Sequence, residues 1–116
     1  MKSRVVLLLC NDEEVHDLAE YWLQTAGLNV ISLHEERCVE ITLLQKTVDI
    51  LVIDTLPSYS SNLPSLRSLK KLSPGLRILL IPSLGERVEL GIARISGVDA
   101  VLTRPMRRAA LLSALK

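Results

Sequence analysis

The sequence predicts a single α/β domain over residues 1–116, with a parallel sheet that carries helices on both faces. Apolar runs without polar alternation, such as Val48–Asp54, are typical of strands buried on both faces of a parallel sheet. These runs alternate with segments whose apolar residues recur at helical spacing, which indicates right-handed β/α units. The chain length allows one hydrophobic core, so we expect no second domain.

The predicted elements begin with a strand at Arg4–Cys10, which is almost entirely Val and Leu. Asn11 and Asp12 then offer N-cap oxygens for a first helix that ends at Gly27. The later elements are strand Leu28–Leu33, helix Glu35–Lys46, strand Val48–Asp54, helix Leu66–Leu72, strand Leu76–Ile81, helix Glu86–Ser96, strand Val98–Thr103 and helix Arg107–Lys116. Five strands and five helices fit a flavodoxin-like three-layer sandwich of strand order 2-1-3-4-5.

Composition and charge exclude several classes of protein. The formal net charge is +1 and charged residues make up 23%, so bulk charge predicts no nucleic-acid or membrane partner. The apolar runs are too short to span a bilayer, and the start of the chain lacks the pattern of a signal peptide. Cys10 and Cys38 have no spacing that predicts a zinc site or a disulfide framework, so we expect a cytoplasmic protein.

Asp54 is the first candidate functional residue, because it ends the apolar strand Val48–Asp54. Open α/β sheets place their sites at the carboxyl ends of the strands, near the point where the strand order reverses. In the predicted order, Cys10, Asn11 and Asp12 meet Asp54 at that point. The loop Thr55–Ser65 is longer than usual for a strand-to-helix connection, which indicates a functional or a mobile segment.

Three further motifs accompany Asp54. Asp-Glu-Glu-Val follows the first strand, Ala-Gly precedes the second, and Gly97–Pro105 is close to the pattern Gly-x-Asp-x-x-x-x-Lys-Pro. With these motifs the chain resembles, over its whole length, the receiver (CheY-like) domain of two-component signalling, a family of response regulators. The segment from Arg104 onwards is most similar to receivers inside hybrid sensor histidine kinases.

The resemblance implies a phosphoacceptor site at Asp54. In the family, this aspartate takes a phosphoryl group from a phosphohistidine, with Mg²⁺ bound by the aspartate and by two acidic residues after the first strand. Those two positions are Cys10 and Asn11 here, so the acidic pair is missing. Asp12 comes one residue later, and the resemblance therefore leaves at most a weak Mg²⁺ site of Asp54 and Asp12, with no resident cofactor.

The other family positions also differ. The switch hydroxyl falls on Pro82, which has neither a hydroxyl nor an N–H, and Ser83 follows it. The lysine before the proline is Arg104, which we expect to pair with Asp54 in place of the metal. The resemblance thus predicts a degenerate receiver, or pseudo-receiver, that is not an enzyme and acts by docking.

The expected partners are the kinase core, another receiver or phosphotransfer domain of a hybrid histidine kinase, or a second copy of the chain. The candidate docking residues are Leu84, Leu90, Val101 and Met106. A working phosphorelay receiver, phosphorylated on Asp54, is the alternative.

Cysteine phosphotransfer through Cys10 fails because the acidic, glycine-free loop after it would repel phosphate. His16 and His34 are predicted to be surface residues without a shared role.

Overall fold

The computed structural model describes residues 3–54, 65–82 and 96–115. The elements in these ranges are β1 (Val5–Leu9), α1 (Glu13–Thr25), β2 (Asn29–Ser32), α2 (Arg37–Gln45), β3 (Ile50–Ile53), α3 (Leu66–Leu72), β4 (Arg77–Leu80), β5 (Ala100–Val101) and α4 (Arg108–Ala114). The described ranges thus hold four helices where five are predicted for the chain, because the predicted helix 86–96 lies almost entirely outside them. No helix among the described residues has the length and apolar character needed to cross a membrane.

The five strands form one parallel sheet in the order β2-β1-β3-β4-β5, which confirms the predicted topology. In this sheet Leu9 of β1 pairs with Ile53 of β3, and Ile53 pairs with Leu80 of β4. The three strands therefore end level with one another. The residues that follow them meet at one edge of the sheet, called the carboxyl edge below.

The two faces of the sheet hold separate parts of the core. Leu51 and Ile53 of β3 pack with residues of α2 and α3, whereas Ile50 and Val52 pack with residues of α1 and α4. All four residues are buried. A strand that packs against apolar residues on both faces needs no alternating polar residues, which explains the continuous apolar sequence of β3.

Asp49 and Asp99 stabilise the opposite, amino edge of the sheet. The Asp49 Oδ2 atom accepts a hydrogen bond from the Val5 N–H at 2.7 Å, and the Asp99 Oδ2 atom accepts one from the Ile78 N–H at 2.8 Å. Each aspartate also donates its own N–H to the carbonyl of the same partner residue. Because the Asp99 side chain takes the Ile78 N–H, β5 begins only at Ala100, later than predicted.

Gly97 lies where the chain passes close to the start of α3. Its φ is +110°, and an added Cβ would lie 3.1 Å from the Leu66 Cβ and 3.4 Å from the Arg67 backbone nitrogen. An L side chain would be strained there by both its backbone conformation and its neighbours. This explains why the motif Gly97–Pro105 begins with glycine.

Candidate functional site

Asp54 lies at the carboxyl edge, directly after β3, and only 4% of its surface is exposed. Its Oδ2 atom accepts hydrogen bonds from the backbone N–H groups of Asn11, at 2.7 Å, and of Asp12, at 3.1 Å. These N–H groups belong to the loop between β1 and α1, which begins beside Asp54 because β1 and β3 are neighbours. One oxygen of the candidate phosphoacceptor is thus already bound to the loop.

Asp12 has two separate partners, one for each carboxylate oxygen. It is the N-cap of α1, as predicted, and its Oδ1 atom accepts from the N–H groups of Glu14 and Val15. Its Oδ2 atom accepts a hydrogen bond from Arg104 Nη1 at 2.6 Å. The hydrogen bond from Arg104 is the main reason that the pKa of Asp12 lies below the usual value of an aspartate, and the Val15 N–H lowers it further.

Arg104 connects three loops at this edge. Besides the bond to Asp12, its Nε atom donates to the Pro82 carbonyl oxygen at 2.7 Å, which links β4 to the residues after β5. The Arg104 side chain is 11% exposed, and its Nη2 atom is buried with no hydrogen-bond partner among the described residues. The peptide bond between Arg104 and Pro105 is cis.

The expected ion pair between Arg104 and Asp54 is wrong, because the guanidinium pairs with Asp12 instead. The reason lies in the geometry of the loop after β1. Its backbone N–H groups reach Asp54 first, while Asp12, as the N-cap of α1, turns its second oxygen outwards to Arg104. The site therefore contains an anion held by backbone N–H groups and, beside it, a separate ion pair.

Cys10 is buried at the end of β1, beside the two charged groups. Burial raises the pKa of its thiol to about 12, and the negative charge of Asp54 contributes to the rise, whereas Arg104 opposes it. The thiol is therefore protonated at neutral pH. Because only a thiolate is an effective nucleophile, this agrees with the exclusion of cysteine phosphotransfer.

The residues at the carboxyl edge do not fit the Mg²⁺ site that the receiver family implies. Mg²⁺ requires oxygen ligands in near-octahedral geometry. The two positions after β1 offer a thiol and an amide, one oxygen of Asp54 binds two N–H groups, and one oxygen of Asp12 binds a guanidinium. Among the described residues, no group of three acidic, histidine or cysteine side chains could hold a metal ion.

The predicted docking residues fall in three different places. Leu84 and Leu90 lie outside the described residues, as does Ser83. Val101 is partly buried against the core on the α2 and α3 side, and Met106 is partly buried against the core on the α1 and α4 side. These two residues thus face different layers of the fold, and their role in docking stays a prediction.

A surface cleft lies beside the Arg104–Asp12 pair. Its volume is about 350 Å³, and its walls are formed by Asp12, Glu14, Val15, Leu18, Arg104, Pro105 and Met106. Leu18, on α1, is 39% exposed. The cleft therefore joins an apolar surface of α1 to the residues of the site.

Of the two histidines predicted to be surface residues, His34 is exposed, whereas His16 is largely buried. The His16 side chain is only 13% exposed, and the centroids of the His16 and His34 rings are 6.0 Å apart. Their separation in sequence concealed this pairing, because His16 is on α1 and His34 follows β2. The adjacency of β1 and β2 in the predicted sheet was the one signal that could have brought them together.

No protein-family model matches the sequence, and neither does any curated protein. The chain is nevertheless similar to solved structures, such as the chemotaxis protein CheY4 of Vibrio cholerae, with a TM-score of 0.80, 16% identity, and coverage of 98% of this chain and 97% of that one. A Burkholderia pseudomallei response regulator, solved with a phosphorylated aspartic acid and a calcium ion, gives a TM-score of 0.77, 19% identity, and coverage of 98% and 67%. A Burkholderia thailandensis protein named for pilus assembly (CpaE) gives a TM-score of 0.74, 26% identity, and coverage of 97% and 94%. The chain therefore has the fold of response-regulator receiver domains.

Proposed function

We propose that the chain is a receiver-type regulatory domain of two-component signalling that acts by docking and not by phosphoryl transfer through Asp54. The observation that supports this best is the bonding of Asp54, whose Oδ2 atom is held by two backbone N–H groups. In this role the carboxylate stabilises the loop after β1. A carboxylate with that role is less free to attack a phosphoryl group.

The charges around Asp54 support the same proposal. A carboxylate and a phosphoryl donor repel each other, so transfer between them needs positive charge at the reacting oxygens. The first two positions after β1, Cys10 and Asn11, lack the acids that would bind a divalent cation. Among the described residues, the only positive charge at this edge is Arg104, which is bound to Asp12 and to the Pro82 carbonyl. The described residues therefore provide no positive group at this edge that replaces a metal ion in phosphoryl transfer.

The cleft of about 350 Å³ beside Arg104 supports docking as the remaining function. It combines apolar side chains with the charges of Asp12, Glu14 and Arg104, a mixture that suits a protein surface better than a small anion. As partner we propose the kinase core, a receiver or a phosphotransfer domain of a hybrid histidine kinase, or a second copy of the chain, in the cytoplasm.

The first test is intact-mass analysis after incubation with Mg²⁺ and acetyl phosphate, with the Asp54→Asn variant alongside. We expect no phosphoryl adduct on either protein. A receiver that retains both acidic residues, treated in the same way, is the positive control for the donor. An adduct on the wild-type chain that is missing from Asp54→Asn would overturn the proposal.

A working phosphoacceptor remains the second candidate, because Asp54 directly follows β3 at the position of the family's acceptor. The two candidates differ in one further outcome. If docking is the function, Asp54→Asn leaves the regulatory output of the full-length protein unchanged. An output abolished by this substitution, with the fold intact, would favour phosphorylation of Asp54.

A further inference from the structure

The helix α2 is apolar on two opposite faces. Val39 and Leu43 lie on its inner face and are buried in the core that α2 shares with α3. Ile41 and Leu44 lie on its outer face and are 52% and 66% exposed. A surface helix of a soluble protein normally has one apolar stripe, and a helix that is apolar all round is normally covered on all sides. The outer face of α2 is therefore a candidate contact surface.

The end of α3 brings a third exposed apolar side chain to this part of the molecule. The Ser73 hydroxyl donates a hydrogen bond to the Val48 carbonyl oxygen at 3.3 Å, so the chain after α3 lies beside the chain after α2. Leu72, the last residue of α3, is exposed. It therefore lies at the same end of this layer as Leu44. Ile41, Leu44 and Leu72 are called the α2 surface below.

Charges of opposite sign lie at the two ends of the α2 surface. Glu40 comes before the exposed apolar pair of α2, and Lys46 comes after it. Lys71, near the end of α3, adds positive charge at the same end as Lys46. These three exposed side chains have no ion-pair partner among the described residues, whereas Glu35 and Arg37, near the start of α2, pair with each other. The start of the surface is thus negative and its end is positive.

This pattern of charge is complementary to itself under a two-fold rotation. In a symmetric dimer the same patch lies on both sides of the interface, so the patch must match itself. When two copies of α2 pack antiparallel, Ile41 of each copy lies opposite Leu44 of the other. Glu40 of each copy then lies near Lys46 of the other, because the two charges are almost equally far along the chain from the apolar pair. A partner with charge of a single sign would be repelled at one end.

We propose that two copies of this chain form a symmetric dimer through antiparallel α2 helices. Ile41 and Leu44 form its apolar centre, Leu72 lies at the margin, and Glu40 pairs with Lys46 of the other copy on both sides of the axis. The inference rests on the docking function proposed above and assigns it a second surface. This surface is separate from the cleft beside Arg104, which is formed in part by α1.

The size of the α2 surface predicts a weak dimer. With nine residues, α2 is about 14 Å long. A contact between two helices of this length is smaller than the interface of a stable complex, which buries at least about 1,200 Å². We therefore expect a dissociation constant in the micromolar range or above, and association is to be measured at chain concentrations up to about 1 mM.

The proposal is tested by sedimentation equilibrium of the 116-residue chain, where we expect an equilibrium between monomer and dimer. Ile41→Ser and Leu44→Ser remove exposed side chains with little risk to the fold. Each should weaken dimerisation at least about tenfold, because every substitution acts twice in a symmetric dimer. Tyr21→Ser on α1 is the matched control, since Tyr21 is exposed to a similar extent on the other face of the sheet, and it should leave the dissociation constant unchanged.

Charge reversal tests the antiparallel arrangement. Glu40→Lys and Lys46→Glu each place like charges opposite one another in the dimer, so each alone should weaken dimerisation at least about threefold. The double variant with both substitutions restores opposite charges and should dimerise as the wild type does. The Tm of each variant at low chain concentration checks that the fold is intact.

A wild type that is monomeric at every concentration would overturn the proposal and leave this surface to a different protein, such as the kinase core. A dimer that Ile41→Ser and Leu44→Ser leave unchanged would overturn it as well. A dimer that depends on these residues but is not restored by the double charge reversal would overturn the antiparallel arrangement. The labelling of Asp54 by acetyl phosphate is measured separately, so the failure of one proposal does not resemble the failure of the other.

Discussion

The two edges of the sheet use carboxylates in the same way, although only one edge is where this fold carries its chemistry. At the amino edge, Asp49 and Asp99 each accept a hydrogen bond from the backbone N–H of a neighbouring strand. At the carboxyl edge, Asp54 accepts two such bonds from the loop after β1. All three residues stabilise the backbone between adjacent parallel segments.

The edges differ in how positive charge is arranged around these carboxylates. The Lys70 Nζ atom lies 2.7 Å from the Asp99 Oδ2 atom, so the cation pairs with the same carboxylate that binds the backbone. At the carboxyl edge the cation, Arg104, pairs with Asp12, and the backbone N–H groups hold Asp54. This difference supports the proposed docking function, because the described residues place no cation in an ion pair with Asp54.

The comparison is tested most strongly by Asp54→Ala. If Asp54 is a structural carboxylate, its removal leaves the partly buried N–H groups of Asn11 and Asp12 without an acceptor. Each unsatisfied donor costs about 1–3 kcal/mol, so we expect the free energy of unfolding to fall by about 3 kcal/mol in urea denaturation. Asp54→Asn keeps an acceptor oxygen and should lose only about 1 kcal/mol.

An increase in the free energy of unfolding on removal of Asp54 would contradict the comparison. A carboxylate kept for phosphoryl transfer is destabilising when no metal neutralises it, so its removal would raise the free energy of unfolding. If Asp54→Ala and Asp54→Asn are both more stable than the wild type, Asp54 is a functional anion and its two hydrogen bonds are secondary.

Asp99→Ala is the matched substitution at the amino edge. It removes the acceptor of the Ile78 N–H and the partner of Lys70, at a position more exposed than Asp54. We expect a loss of about 2 kcal/mol, smaller than for Asp54→Ala, because water can reach the unpaired groups. Asp49→Ala, which has the single Val5 partner, should lose somewhat less than Asp99→Ala. A larger loss at Asp99 than at Asp54, measured by the same denaturation, would contradict the comparison.

The sequence predicted the fold because burial on two faces has a direct signature in the strands. The continuous apolar residues of β3 indicate a strand inside a parallel sheet, which is where the structure places it. The glycine at 97 agrees with the close approach of the chain to α3. The sequence also placed Asp54 and Asp12 at one edge, since strand ends and the N-cap of α1 are local features, and the resemblance to receiver domains placed Arg104 beside them. Neither the pairing of Arg104 nor the proximity of His16 and His34 was predicted, because each depends on side-chain directions across segments that are distant in sequence.

Lys70→Met measures the contribution of the amino-edge cation alone. The ion pair with Asp99 is partly exposed, and exposed pairs contribute about 0–1 kcal/mol. We expect a loss of less than about 1 kcal/mol that shrinks further when the salt concentration is raised. A loss as large as that of Asp99→Ala would mean that the ion pair, and not the bond to Ile78, stabilises this edge.

Asp12→Asn isolates the ion pair of the carboxyl edge and should have the smallest effect. Asn is as good an N-cap as Asp, so the substitution removes the charge and leaves the start of α1 intact. Because the Asp12 side chain is 41% exposed, we expect a smaller decrease in Tm at neutral pH than for Asp99→Ala.

Arg104 lowers the pKa of Asp12, so the contribution of the pair is complete above the usual pKa of an aspartate and is lost as the pH falls through the lowered value. The Tm values of wild type and Asp12→Asn should therefore begin to converge only below about pH 4, the usual pKa of this side chain, and should be equal once the pH is below the lowered pKa of Asp12. A Tm difference that is independent of pH would show that the introduced asparagine fails as a cap and that the pair with Arg104 contributes nothing.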